Sequence, residues 1–134
     1  MDLHSLDLRR PKQPLQLDRL IIGCSGLAGI YQEIDEAAAV DAVRRAIELG
    51  CTLFDTAPHY GLGLSEERLG KALAEVEPER RKALKLFTKV GRVLYESTES
   101  VPSGAEVETA NIAGAPTCIF PATPPNRVPV LDYR

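Results

Sequence analysis

The run DEAAAVDAVRRAIELG, residues 35–50, constrains the fold of this chain more than any other stretch. Val40, Val43 and Ile47 recur at i, i+3 and i+7, while Asp41, Arg44, Arg45 and Glu48 take the opposite side. Asp35 suits the N-cap, where a carboxylate accepts from free backbone N–H groups, and Gly50 suits a left-handed turn at the far end. The spacing predicts one amphipathic helix. Short apolar runs flank it: Leu20 to Gly23, opening the glycine-rich GCSGLAG, and CTLFD at residues 51–55. Both read as short buried strands. Strand, helix and strand of this kind make a βαβ unit with parallel strands.

The pattern then repeats. A second helix is expected to begin at Ser65, with its hydroxyl as cap, Glu66 and Glu67 at the positive end of the dipole, and Leu64 and Leu69 in staple positions. Leu69, Ala72, Leu73 and Val76 form its apolar face, and Pro78 closes it or follows closely. ALKLFTKV, residues 83–90, reads as a third strand ended by Gly91. Beyond Tyr95 the periodicity stops. Pro102, Pro116, Pro121, Pro124, Pro125 and Pro129 predict neither a long helix nor a central strand there. Such a stretch exceeds the ~12–15 residues usual for a structureless loop in a compact domain. The expected organisation is a tail at 1–19, a βαβαβ unit at 20–95, and a Pro-rich loop or disordered segment at 96–134.

A net charge of −3 gives no electrostatic case for nucleic acid or an anionic membrane. The first twenty residues mix acids and bases without an apolar core, so neither a signal peptide nor a membrane span is expected. Cys24, Cys51 and Cys118 lie far apart and form no C-x-x-C pair. That argues against a disulfide framework or a metal site and for reduced thiols in a cytoplasmic setting.

In a parallel α/β fold, chemistry collects at the C-terminal ends of strands. Three polar residues meet that condition: Asp55, Tyr60 and Lys89. Adjacent strands lie about 4.8 Å apart, so Asp55 and Lys89 can approach one another. An ammonium near a phenol favours the phenolate, which suits proton exchange with a carbonyl or an alcohol. Spacing alone leaves a plainer reading open. Asp55, Thr56 and Pro58 could make a turn, Lys89 could be a solvated strand end, and Tyr60 could pack on a helix. A phosphate cradle fits worse, because Gly61-Leu62-Gly63 is followed by Glu66 where the dinucleotide fingerprint needs its third glycine.

The run DTAPHYGLGLSEERLGKAL, residues 55–73, closely resembles a signature of the aldo-keto reductase superfamily, D-T-A-x-x-Y-G-x-G-x-S-E-x-x-L-G-x-A-L. IGCSG at 22–26 and FTKVG at 87–91 stand where that family has its first and third barrel strands. Pro58 and the GLGL wording look most like the aldose-dehydrogenase branch, which acts on threo-aldose, arabinose, fucose or galactose. The resemblance implies the N-terminal portion, about three βα units, of a TIM-type (β/α)8 barrel. It implies hydride transfer between NADP or NAD and a small-molecule carbonyl or sugar. Matched by position, Tyr60 would be the general acid/base, Lys89 its activator and Asp55 the residue holding Lys89. The backbone at Gly26 and Leu27 would approach the nicotinamide, and His59 would face the substrate.

Two positions depart from the pattern. Ser25 stands where the branch often has glycine, and the family's fourth catalytic residue, a His ending a fourth strand, has no counterpart. VPVLDY at 128–133 resembles the stretch before the family's third barrel helix. The likeness thus runs through nearly the whole chain but well under half of a barrel of roughly 250–320 residues. The expectation is a truncated oxidoreductase, inactive as this chain alone, with open sheet edges for self-association. The alternative is a non-catalytic βαβ module that binds or regulates through those edges.

Overall fold

The computed structural model describes residues 19–110 and 112–133, so the expected tail lies outside it apart from Arg19. Strand β1 (Ile21–Gly23) leads through a 3-10 turn (Ser25–Ala28) to helix α1 (Glu36–Glu48). Strand β2 (Leu53–Asp55), helix α2 (Leu64–Ala74), the short helix α3 (Pro78–Lys82) and strand β3 (Lys85–Phe87) follow. The three strands pair in parallel in the order β1-β2-β3. This is the α/β arrangement with a parallel sheet that the alternating pattern implies; three strands form no closed barrel.

Helix α1 ends where its sequence dictates. The Asp35 carboxylate accepts from the Ala38 N–H at 3.0 Å, and Gly50 takes φ +97°. Ala39, Val43 and Ile47 bury one stripe against Leu69, Ala72 and Leu73 of α2, with Phe54 of β2 beneath both helices. Ile22, Phe54 and Leu86 are level across the sheet and share this helix-covered face. The opposite face carries Ile21 and Phe87, 58% and 44% exposed. A parallel sheet is ordinarily covered on both faces, and here helices cover one.

Several elements differ from expectation. Ser65 does not cap α2: Gly63 holds that position with φ +88° and no side-chain bond, and Ser65 is fully buried one residue inside the helix. The hydroxyl meets a different need. It donates to the Cys24 carbonyl at 2.7 Å and lies 3.1 Å from the Thr56 hydroxyl, tying α2 to the ends of β1 and β2. Pro78 follows the C-cap of α2 by three residues, as expected, and also opens α3, where its missing N–H is no loss. The third strand is shorter than its apolar run and leaves Lys89 two residues past its end.

The largest difference lies beyond Gly91. Strands β4 (Arg92–Tyr95), β5 (Glu106–Val107) and β6 (Val128–Leu131) form an antiparallel sheet in the order β4-β6-β5. Pro129 therefore sits in a central strand, which its chemistry was expected to forbid. Its carbonyl accepts from the Glu108 N–H at 2.9 Å, so its own missing donor falls on the β5 side, just past that two-residue strand. The lost ladder bond lies at the rim of the sheet. Phe120 packs with Ala28 and Leu64, joining the later segment to the parallel unit.

Phe54 is fully buried at the centre of the parallel sheet. Phe54→Ala should cost about 3–5 kcal/mol, read as a lowered urea midpoint. Leu86→Ala, on the exposed edge, should change it by no more than about 0.5 kcal/mol.

Candidate active site

Gly23, Asp55 and Phe87 are level at the C-terminal ends of the three parallel strands. The backbone continues the ladder one step further, with the Cys24 N–H donating to the Asp55 carbonyl and the Thr56 N–H to the Phe87 carbonyl, both at 2.8 Å. That extension fixes where the polar side chains emerge. Lys89, rising from beyond β3, places Nζ 2.6 Å from Asp55 Oδ1 and 3.0 Å from the Thr56 carbonyl oxygen. The same nitrogen lies 5.9 Å from the centre of the Tyr60 ring, at the outer reach of a cation–π contact. Asp55, Tyr60 and Lys89 are thus brought together at one end of the sheet.

The hydrogen bond that Lys89 donates to Asp55 holds its ammonium above the ordinary lysine range, and the Asp55 and Tyr60 charges add to it. Lys89 therefore stays protonated under all physiological conditions. The pair is half open to water, with side-chain exposures of 49% and 32% for Lys89 and Asp55, so its value lies in fixing an ammonium in place more than in stability. Below it, burial and the nearby Asp55 charge push the Cys24 thiol up to about 11, so it stays protonated in the floor of the site.

The loop bearing Tyr60 is tightly wound. Tyr60 N–H donates to the Ala57 carbonyl at 3.1 Å and Gly63 N–H to the Pro58 carbonyl at 2.8 Å. Gly61, Leu62 and Gly63 all have positive φ, at +63°, +45° and +88°. A left-handed leucine costs on the order of 1–3 kcal/mol, so the surroundings must hold it there. At Gly61 any Cβ would come within 2.9 Å of the Ala28 Cβ, which explains a glycine directly after Tyr60.

His59 and Tyr60 both face Phe120, their ring centres 6.0 and 6.1 Å from it. His59 Nδ1 is buried and has no hydrogen-bond partner among the described residues. Burial and the Arg92 charge lower the readiness of His59 to take a proton, while Glu108, paired with Arg92, opposes this. At Gly26 the backbone is exposed and an added Cβ would meet nothing within 4 Å, leaving room for a flat ring. Leu27 is buried, its N–H donating to the Cys24 carbonyl at 3.0 Å and its carbonyl accepting from Arg68.

Four residues at the site were given no role there from sequence, Ser65 and Thr56 having been read as a helix cap and part of a turn. Ser65 and Thr56 form the buried polar tie described above, Phe120 walls the site, and Arg68 holds the 3-10 turn through the Leu27 and Ile34 carbonyls. Arg68 sits at a helical position that charge alone assigns to solvent, yet it is 6% exposed. Its spacing of three from Ser65 and four from Ala72, which sets it beside the buried stripe, was the available signal.

An acid, a phenol and a charged amine held together at the C-terminal end of a parallel sheet are groups able to exchange a proton with a carbonyl or an alcohol. A family model described as the aldo/keto reductase family matches residues 19–113, and the chain belongs to that family. It is 35% identical over 94 residues to a D-threo-aldose 1-dehydrogenase from a Pseudomonas species, covering 70% of this chain and 28% of that protein. With the L-galactose dehydrogenase of Arabidopsis thaliana it shares 38% identity over 78 residues, 58% of this chain and 24% of the relative. An aldo-keto reductase of Schizosaccharomyces pombe, named with NADP(+), is 38% identical over 69 residues, 52% of this chain and 20% of its own length. The chain thus spans roughly a quarter of the length of these relatives.

The folded protein binds the His59 proton less readily than the unfolded chain does. Stability present above the ordinary histidine value of 6.5 is therefore lost as pH falls below it. Chemical denaturation at pH 7.5 and 5 should show the parent losing more stability on acidification than His59→Phe. Equal losses would remove His59 as the source.

Proposed function

We propose that this chain carries the proton-transfer part of an NAD(P)-dependent oxidoreductase that interconverts a carbonyl, of the aldose class, and the corresponding alcohol. The convergence of Asp55, Lys89 and Tyr60 within one end of the sheet is the observation that supports it. In reduction, the Tyr60 hydroxyl gives its proton to the carbonyl oxygen, and in oxidation the phenolate takes the proton from the substrate hydroxyl. Lys89 stabilises the phenolate by its charge, and Asp55 keeps Lys89 protonated and aimed. The backbone at Gly26 and Leu27 receives the nicotinamide end of NADP or NAD, which when bound supplies or takes the hydride. The names of the Pseudomonas and Arabidopsis relatives favour an aldose or a related sugar as substrate. His59 meets that substrate in this reading, which its position beside Tyr60 and Phe120 supports.

The three parallel strands and the helices between them correspond in this reading to the start of a (β/α)8 barrel. A second reading is favoured by the β3 edge. Leu86, Phe87 and Val90 are 54%, 44% and 96% exposed, an apolar margin suited to a βαβ module that binds another chain or a second copy.

NADPH titration followed by cofactor fluorescence, with carbonyl reduction and light scattering on the same sample, separates these readings. Where turnover occurs, Tyr60→Phe should lower kcat about 10²–10⁴-fold with little change in NADPH affinity. Turnover that survives Tyr60→Phe would refute the assignment of Tyr60. A chain that binds no NADPH and self-associates is the module.

A further inference from the structure

The left-handed turn at Gly61–Gly63 follows Tyr60 directly and is gripped from outside the parallel unit. Arg127, only 19% exposed at its side chain, reaches in from the segment just before β6. Its Nη1 donates to the Leu62 carbonyl at 2.7 Å, and its Nη2 is paired with Glu67 in the first turn of α2. One planar guanidinium thereby spans the turn and the helix it feeds, a fixed fork that an ammonium cannot reproduce. The contact is close enough that a Cβ at Gly63 would lie 2.7 Å from Nη1. Leu62 is itself fully buried, so its carbonyl needs the partner that Arg127 supplies.

We propose that Arg127 is a positioning residue for Tyr60: it fixes the otherwise strained 61–63 turn and so sets where the phenol stands relative to Lys89. The inference rests on the catalytic reading of Tyr60 given above, but its structural half does not. The second sheet gains a role from it. Between Leu62 and Arg127 lie β3, β4 and β5, so the later segment returns across the molecule to close on the site loop. Phe120 adds a second hold on the same loop through the His59 and Tyr60 rings.

Hydrogen exchange on the full chain tests the first half. Arg127→Met should speed exchange at the Tyr60, Gly63 and Ser65 amides about tenfold or more while Val43 and Ile47 of α1 stay within about twofold. Arg127→Lys should fall between the parent and Arg127→Met, because it keeps the charge and loses the fork. Glu67→Gln keeps the Leu62 contact and should loosen the loop least. If Arg127→Met unfolds the chain, the lysine and glutamine variants decide in its place. Loop amides that match the parent in those variants, or that rise only in step with α1, would overturn the proposal. Carbonyl reduction tests the second half: kcat should fall about 10- to 100-fold in Arg127→Met with the KM for the nicotinamide cofactor unchanged. A loosened loop in a parent without turnover would leave the positioning role standing and reject the catalytic reading. A loosened loop with unaltered kcat would reject the link to Tyr60.

Discussion

The in-step register of three short parallel strands governs everything at the site. Gly23, Asp55 and Phe87 end their strands at one level, and one further backbone bond at each junction carries that level outward. A slip of one residue in β2 would turn Asp55 toward the helices and Phe54 toward water. Phe54 opposes such a slip, because its full burial under α1 and α2 is available in only one register. The hydrophobic core and the polar cluster are two faces of one constraint. Burying a ring on one side obliges a carboxylate to stand on the other.

Polar ties then hold the loops to that frame. Ser65 joins the end of β1 to α2, and Thr56 joins the end of β2 to the same hydroxyl. Arg68 grips the 3-10 turn, and Arg127 grips the loop after Tyr60. Ser65, Arg68 and Arg127 are wholly or largely withdrawn from water and donate to backbone carbonyls, while Thr56 is held by the Ser65 hydroxyl. Such bonds favour one arrangement over its neighbours more than they add net stability.

The parallel unit was legible in the sequence because its signals are local. Helical periodicity, the Asp35 cap and Gly50 lie within one segment, and the structure places all three as expected. The approach of Lys89 to Asp55 was legible too, since parallel pairing leaves little choice about what adjoins a strand end. Ser65 misled because a serine before two glutamates is a strong cap signal, and nothing nearby announces a carbonyl at Cys24. Pro129 misled for a similar reason. A proline is unfit for a central strand only where its missing N–H faces a continuing partner, and β5 stops short of it. Arg127 and Phe120 act over sequence separations that no local pattern encodes.

The parallel connections also impose an order on how the chain assembles. Ile21 pairs with Leu53 and Leu53 with Lys85, so each new strand closes a loop of 32 residues. Closing such loops costs entropy before any sheet bond forms, whereas α1 and α2 draw on contacts a few residues apart. The two closures are of equal length, so this cost gives neither strand pair precedence. Asp55 ends β2 and Lys89 lies beyond β3, so their ion pair forms no earlier than those two strands join.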